Sequence, residues 1–324
     1  MALLITASAQ ADTLRIATFN TELSRKGPGL LLRDILRGDD PQVTAVITEL
    51  VEVRPDVIAL QGFDFDIENR TLKSFADALE QNGLHYPHIF STTPNAGLMT
   101  ALDLDGDGKL GGPGDAQGFG RFFGQGSMAL LSRFPLLTEQ VQDYSTLLWR
   151  DLPDALLPVV AGKPFPSAAA LEVQRLSSHG HWVVPITHPT LGQVTVMTYH
   201  ASPPVFDGPE DRNGKRNHDE TLFWDHYLNG TFGTPPAERF VILGDANLDP
   251  ENGDGRGEAM RRLLSRNNLQ DPLPTLPTVN WTQTGPLRVD YVLPSADWTV
   301  VGAEVRPINP DASRHSLVWV DITR

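Results

Sequence analysis

The 324-residue chain has no cysteine. That absence excludes disulfides, thiolate metal sites and a cysteine nucleophile, so any catalysis must come from carboxylates, histidines, hydroxyls, lysine or a bound metal. It is compatible with either redox compartment. Also missing is any apolar run approaching the ~20 residues of a membrane span. Cationic charge is short: 26 Lys+Arg face 40 Asp+Glu, a net −14. A field of that sign repels polyanions and disfavours broad adhesion to nucleic acid or anionic membrane. No Ser/Gly linker or shift of composition divides the chain. What is present, 40% hydrophobic and 20% charged residues, supplies a large core and carries too little charge for a disordered polymer. One domain, residues 12–324, is expected as a monomer, although single cores stop growing at roughly 250–300 residues.

Residues 1–11 carry a short apolar run and then Ala9 and Ala11, an A-x-A pattern before Asp12. They read as the back half of a secretory signal whose basic start is missing, giving a periplasmic or secreted protein; the plain alternative is an Ala-rich terminus. Beyond them strand-like and helix-like patterns alternate. Strands are expected at 14–20, 56–61, 127–132, 170–176, 181–186, 193–200, 239–243, 288–293, 299–306 and 317–322. Helices are expected at 42–53, 72–79, 219–228 and 257–266. In the first of these, Val43, Val46, Ile47, Leu50 and Val51 repeat at helical spacing, and Pro55 closes the helix. Adjacent antiparallel candidates with single helices between them fit two sheets packed face to face with helices outside, rather than one parallel sheet. Three stretches, 91–126, 149–167 and 202–217, read as loop insertions, of a length that is usually functional or disordered.

Polar signatures gather at the carboxyl ends of these strands: Asn20-Thr-Glu22, Gln61-Gly62-Phe-Asp64, Tyr199-His200, Gly244-Asp245-Ala-Asn247, Arg288-Val-Asp290-Tyr291 and Ser313-Arg314-His315. From Leu14 to Ile322, and in this order, they resemble the endonuclease/exonuclease/phosphatase superfamily, the deoxyribonuclease-I-like fold. Gly-Asp-Ala-Asn and Arg-Val-Asp-Tyr are the most specific matches; either alone would be weak. The resemblance implies a four-layer α/β/β/α sandwich of two mixed, mostly antiparallel sheets. It also implies cleavage of phosphoester bonds with Mg2+, Mn2+ or another divalent cation. In that pattern Asp245 activates a water and Asn247 supplies an amide. His200 and His315 face the phosphoryl group, and Asp290 orients His315. The physical logic agrees: hydrolysis needs a water held in line with the leaving oxygen and positive charge on the non-bridging oxygens, and a carboxylate behind a histidine fixes its tautomer and stabilises its cation. His179, His181, His188 and His226, outside these motifs, read as hydrogen-bonded structural residues.

Two departures stand out. Relatives usually carry Gln-Glu after the second strand and Ser-Asp-His near the end; here the pairs are Gln61-Gly62 and Ser313-Arg314-His315, so two carboxylates of the cation site are missing. Hard cations need oxygen ligands. Asn20 and Glu22 offer some; of the two carboxylates just past Gly62, Asp64 and Asp66, Asp64 is expected to replace the lost glutamate, with Arg314 supplying a phosphate-binding fork. A non-catalytic phosphate-binding relative is the alternative. A second metal signal, Asp103-Leu-Asp105-Gly-Asp107-Gly-Lys-Leu, is the first part of a calcium loop, with Gly114 at the twelfth position and Asp115 after it; a structural Ca2+ site is set against a solvated acidic turn. The segment after His200 reads either as a cleft rim, with Arg216 and Asn217 meeting phosphate at a helix start, or as a polar surface loop. Without a basic stripe or aromatic groove, a small phosphate ester is favoured over long nucleic acid.

Overall fold

The computed structural model describes residues 12–324; the expected export signal at 1–11 lies outside the described residues. β1 (Leu14–Asn20) leads through α1 (Leu30–Arg37) and α2 (Pro41–Val53) to β2 (Val57–Phe63), α3 (Arg70–Gln81), β3 (His88–Phe90), β4 (Ser127–Ser132) and β5 (Gln142–Asp143). A ribbon of β6 (Val159–Val160) and β7 (Lys163–Pro164) precedes α4 (Ala168–Val173), β8 (His181–His188), β9 (Gly192–His200), α5 (Arg212–Leu228), β10 (Phe240–Asp245) and α6 (Glu258–Leu264). A second ribbon, β11 (Val279–Trp281) and β12 (Gly285–Leu287), comes before β13 (Asp290–Pro294), β14 (Thr299–Val305) and β15 (Val318–Thr323).

The strands form a six-stranded sheet in the order β14-β15-β1-β2-β4-β3 and a five-stranded sheet in the order β13-β10-β9-β8-β5. Only β1 with β2 and β9 with β10 run parallel. Each of these pairs is joined through helices, as parallel neighbours require. Side-chain alternation then sorts the core into three slabs. Ile16, Val57, Leu130, Val184, Val196, Val241 and Val320 meet between the sheets. Phe19, Leu60 and Leu131 pack outward with Leu31, Leu50 and Phe75 of the first three helices. Met197, Tyr199 and Ile242 do the same with Phe223, Trp224 and Met260 of α5 and α6. The result is the α/β/β/α sandwich expected from the resemblance, with β1, β9 and β10 all ending at one edge. Among the described residues no helix is long and apolar enough to cross a membrane.

Beyond the short strands β3, β5, β6, β7, β11 and β12, which the sequence pattern did not show, three elements differ from the sequence expectation. Residues 170–176 are not a strand. Ser167 caps α4 by accepting the Ala170 amide, and its alanine-rich run favours helix. The helix expected from 219 begins at Arg212, so the last six residues of the supposed loop 202–217 are helical. Its first two turns carry no apolar period because they are buried through hydrogen bonds instead. α1 was not anticipated; it is short and buries only one narrow stripe, Leu31, Asp34 and Ile35.

Candidate active site

Gly244, the residue before the end of β10, has φ 148°, and a Cβ there would collide with the carbonyl oxygen of Tyr199 on neighbouring β9. Only glycine permits that approach, which brings Asp245 level with His200 in the register of the two strands. Asp245 is fully buried. Its Oδ1 accepts the Asn247 backbone amide at 2.8 Å, and its Oδ2 accepts Asn20 Nδ2 at 2.8 Å from the other sheet. His200 Nε2 stands 3.4 Å from the same oxygen, and His315 Nδ1 lies 4.0 Å away. Burial alone would raise this carboxyl; the charges of His315 and His200 and the Asn20 amide outweigh it and hold it at about 2.

His315 Nδ1 faces Asp290 at 3.0 and 3.2 Å. Burial disfavours the imidazolium, but Asp290 and Asp245 overcome that and raise His315 to about 9. Burial and the nearby Asp245 push Asp290 upward despite His315. Asp245, Asp290 and His315 therefore form one buried cluster whose ligand atoms lie within 4.8 Å of one another. Asn247, in left-handed backbone, spends its amide on Ala201 O at 3.0 Å and on Asp245, so it fixes the carboxylate rather than projecting freely.

The expected cation ligands are only partly assembled. Gly62, with φ +65°, stands where relatives carry glutamate, and a Cβ there would collide with Asn20 Oδ1 and lie 2.9 Å from the Glu22 amide nitrogen. The loop after β1 has closed over that position. Asp64 does not take the missing role: it is buried and its oxygens accept the Arg25 and Gly126 amides at 2.9 Å each, which makes it a brace between two loops. Burial raises its carboxyl. Asp66 caps α3 through the Arg70 and Thr71 amides. Glu22 is gripped by the Arg314 guanidinium and backbone amide. Burial would raise Glu22, but these bonds hold it below its usual value. Arg314 therefore forks a carboxylate rather than standing free for phosphate, and it lies over the Trp281 ring at 4.9 Å. Its side chain is 68% exposed, so the pair is worth about 1 kcal/mol or less and can exchange for a ligand. The oxygens left at this end of the cleft are Asn20 Oδ1, which accepts the Glu22 amide, and the carboxylates of Glu22 and Asp245, donors of the kind a hard cation takes.

Arg216 and Asn217 do not meet substrate. Arg216 is buried and donates to the carbonyls of Leu176, Arg175 and Ser177 at 2.8–3.0 Å. Asn217 donates to Ser202 O and Ala246 O. Their place inside α5 makes them ties between loops. In the acidic loop, Asp103, Asp105 and Asp115 converge, while Asp107 turns to the Lys109 amide. Burial and the neighbouring Asp107, Asp115 and Asp103 raise Asp105.

Two residues were missed. His179 stacks on His200 with ring centroids 3.8 Å apart and lines the same cleft. Its Nδ1 faces His200 O at 3.0 Å, which fixes the proton there and leaves Nε2 as an acceptor; burial and His200 hold its pKa well below normal. Counting back through the hairpin would have found it, since His181 pairs with Tyr199 and the preceding residues reach the level of His200. Buried Glu220 accepts the amides and hydroxyls of both Ser178 and Ser202, tying together the backbone beside each histidine. No local motif marks it. His181 and His188 are hydrogen-bonded structural residues, as expected.

The sequence profile of the Endonuclease/Exonuclease/phosphatase family matches residues 17–315, and the chain belongs to that family. Its enzymes are hydrolases acting on phosphoester bonds and use divalent metals, and this chain is a hydrolase acting on ester bonds. No curated protein sequence matches. Among solved structures the fold is similar to an endonuclease/exonuclease/phosphatase from Beutenbergia cavernae (TM-score 0.60, 19% identity, 96% of this chain and 71% of that one). It is also similar to sphingomyelinase C from Streptomyces griseocarneus (0.52, 14%, 97% and 100%) and truncated TDP2 from Caenorhabditis elegans (0.50, 15%, 96% and 98%).

Proposed function

We propose that the chain is a divalent-metal-dependent phosphodiesterase acting on small phosphate esters by in-line attack of water. The observation that carries this reading is Asp245: fully buried, ionised, and held in place by amides from both sheets beside a cationic His315. Such a carboxylate orients a water and draws its proton as the phosphorus–oxygen bond forms. The Asp290-backed His315 binds a non-bridging oxygen or protonates the departing one. His200, within reach of Asp245, faces the same phosphoryl group. Asn20, Glu22 and Asp245 would hold Mg2+ or Mn2+, which when bound neutralises charge on the phosphate. Small esters are favoured because the adjoining cleft is about 380 Å³, small-ligand size, and the chain carries a net −14. The acidic loop is assigned as a structural Ca2+ site built from Asp103, Asp105 and Asp115, with Asp115 in the place expected of Asp107.

The test is hydrolysis of bis-p-nitrophenyl phosphate with Mg2+, Mn2+ or EDTA, with plasmid DNA as a parallel substrate. Turnover should depend on metal and fall on the order of 10²–10⁴-fold in Asp245→Ala. Metal-independent turnover, or an active Asp245→Ala enzyme, would refute the mechanism, and faster cleavage of DNA would refute the substrate preference.

A further inference from the structure

The cleft beside the catalytic cluster has two walls. One carries Asn20, Glu22, His179 and His200; the other, supplied by the 91–126 insertion, carries Phe119 and Arg121. That second wall takes no part in the chemistry above. Arg25, Arg133, Arg288 and Arg314 each lie against a carboxylate; among the described residues Arg121, like Arg54, Arg70, Arg175, Arg212 and Arg216, enters no ion pair, but it is exposed, lines this cleft, and donates a hydrogen bond through its backbone amide.

The backbone beneath it is fixed. Gln125 Oε1 accepts the Arg121 amide at 2.8 Å, and Gln125 Nε2 donates to Arg25 O at 3.0 Å. Gly124 N donates to Ala96 O, and the Gly124 carbonyl accepts the Phe65 amide, both at 2.9 Å. Gly97 packs so closely on the Phe122 carbonyl that a Cβ would overlap it. An unpaired guanidinium on a braced loop, lining the cleft that would take a phosphoryl group on the reading above, is placed to meet a further anion. A planar fork matches phosphate oxygens in pairs. In an acidic protein a local cation is also what a dianionic substrate needs in order to settle.

We propose that Arg121 binds a second phosphate of the substrate, so that the cleft selects phosphate esters bearing two phosphate groups over simple diesters. The inference rests on the phosphoesterase reading of the neighbouring site and deepens it. Calorimetric binding of inorganic pyrophosphate and of inorganic phosphate, in one Mg2+ buffer, compares the wild type, Arg121→Ala and Arg121→Lys. Wild type should bind pyrophosphate at least about tenfold more tightly than phosphate. That preference should collapse below about threefold in Arg121→Ala and return in part in Arg121→Lys, which keeps the charge without the fork. An unchanged pyrophosphate-to-phosphate ratio in Arg121→Ala would overturn the proposal. Wild-type hydrolysis of bis-p-nitrophenyl phosphate is the separate check: its absence would refute the phosphoesterase reading, while the affinity ratio would still decide the Arg121 site.

Discussion

At the scale of single residues, the site is a set of charges that burial alone would have extinguished. His315 keeps its proton to about 9 because Asp290 and Asp245 stand beside it. A cationic His315 is therefore present through the neutral range and lost only in alkali. The pH profile of kcat/KM is expected to fall above about 9, and Asp290→Asn should move that limb about one unit or more toward neutrality. An alkaline limb indifferent to Asp290→Asn would show that the imidazolium is not the group at work. The sign for stability is the same. A histidine raised from 6.5 in the folded state stabilises fully below 6.5, and that contribution fades as pH rises through about 9. The residue scale is also where the sequence was most legible. Gly244, Asp245, Asn247, Asp290 and His315 sit in short motifs whose spacing encodes a turn or a pair. Asp64 misled because proximity to Gly62 in sequence says nothing of direction: two loop amides claim its oxygens first.

At the scale of elements, α5 shows why a polar stretch can be structural. Arg216 reaches the carbonyls of three residues preceding β8, and Glu220, one turn on, collects four donors from two loops. A hydrophobic count along this helix reveals neither, since the buried face of its first two turns is held by hydrogen bonds, and for that reason its start was placed too late. Arg216→Met should lower unfolding stability by about 3 kcal/mol, because it strands buried carbonyls without partners. Urea denaturation measures this; a raised KM at unchanged stability would instead return Arg216 to phosphate binding. The long strands β1, β2, β4, β8, β9, β10, β13 and β15 were readable because each is mostly buried, while the short β3, β5, β6, β7, β11 and β12, largely exposed or half-buried, left no such pattern. The alanine-rich 168–173 run failed for the opposite reason, since apolar content alone cannot tell a short helix from a strand.

At the scale of the whole molecule, the sheets provide a common edge and the 91–126 insertion provides the facing wall of the cleft. If Asp103, Asp105 and Asp115 hold calcium, the ion relieves the mutual repulsion that raises Asp105. Limited proteolysis should then cut within 91–126 several-fold faster in EDTA than in Ca2+; equal rates would count against an ion there. The layered architecture was legible from strand order and motif order together. The wall facing the catalytic groups was not, because contacts such as Gly97 on the Phe122 carbonyl join backbones and leave no side-chain pattern.

The bond from Asn20 to Asp245 joins the last residue of a strand in one sheet to the last residue of a strand in the other. The carboxylate proposed to activate water is thus aligned by the seating of one half of the sandwich on the other, and on that proposal turnover becomes a gauge of interlayer slip. Heat or pressure that lets the sheets shear by a fraction of a bond length would silence the enzyme while each sheet, with its own helices, is still intact.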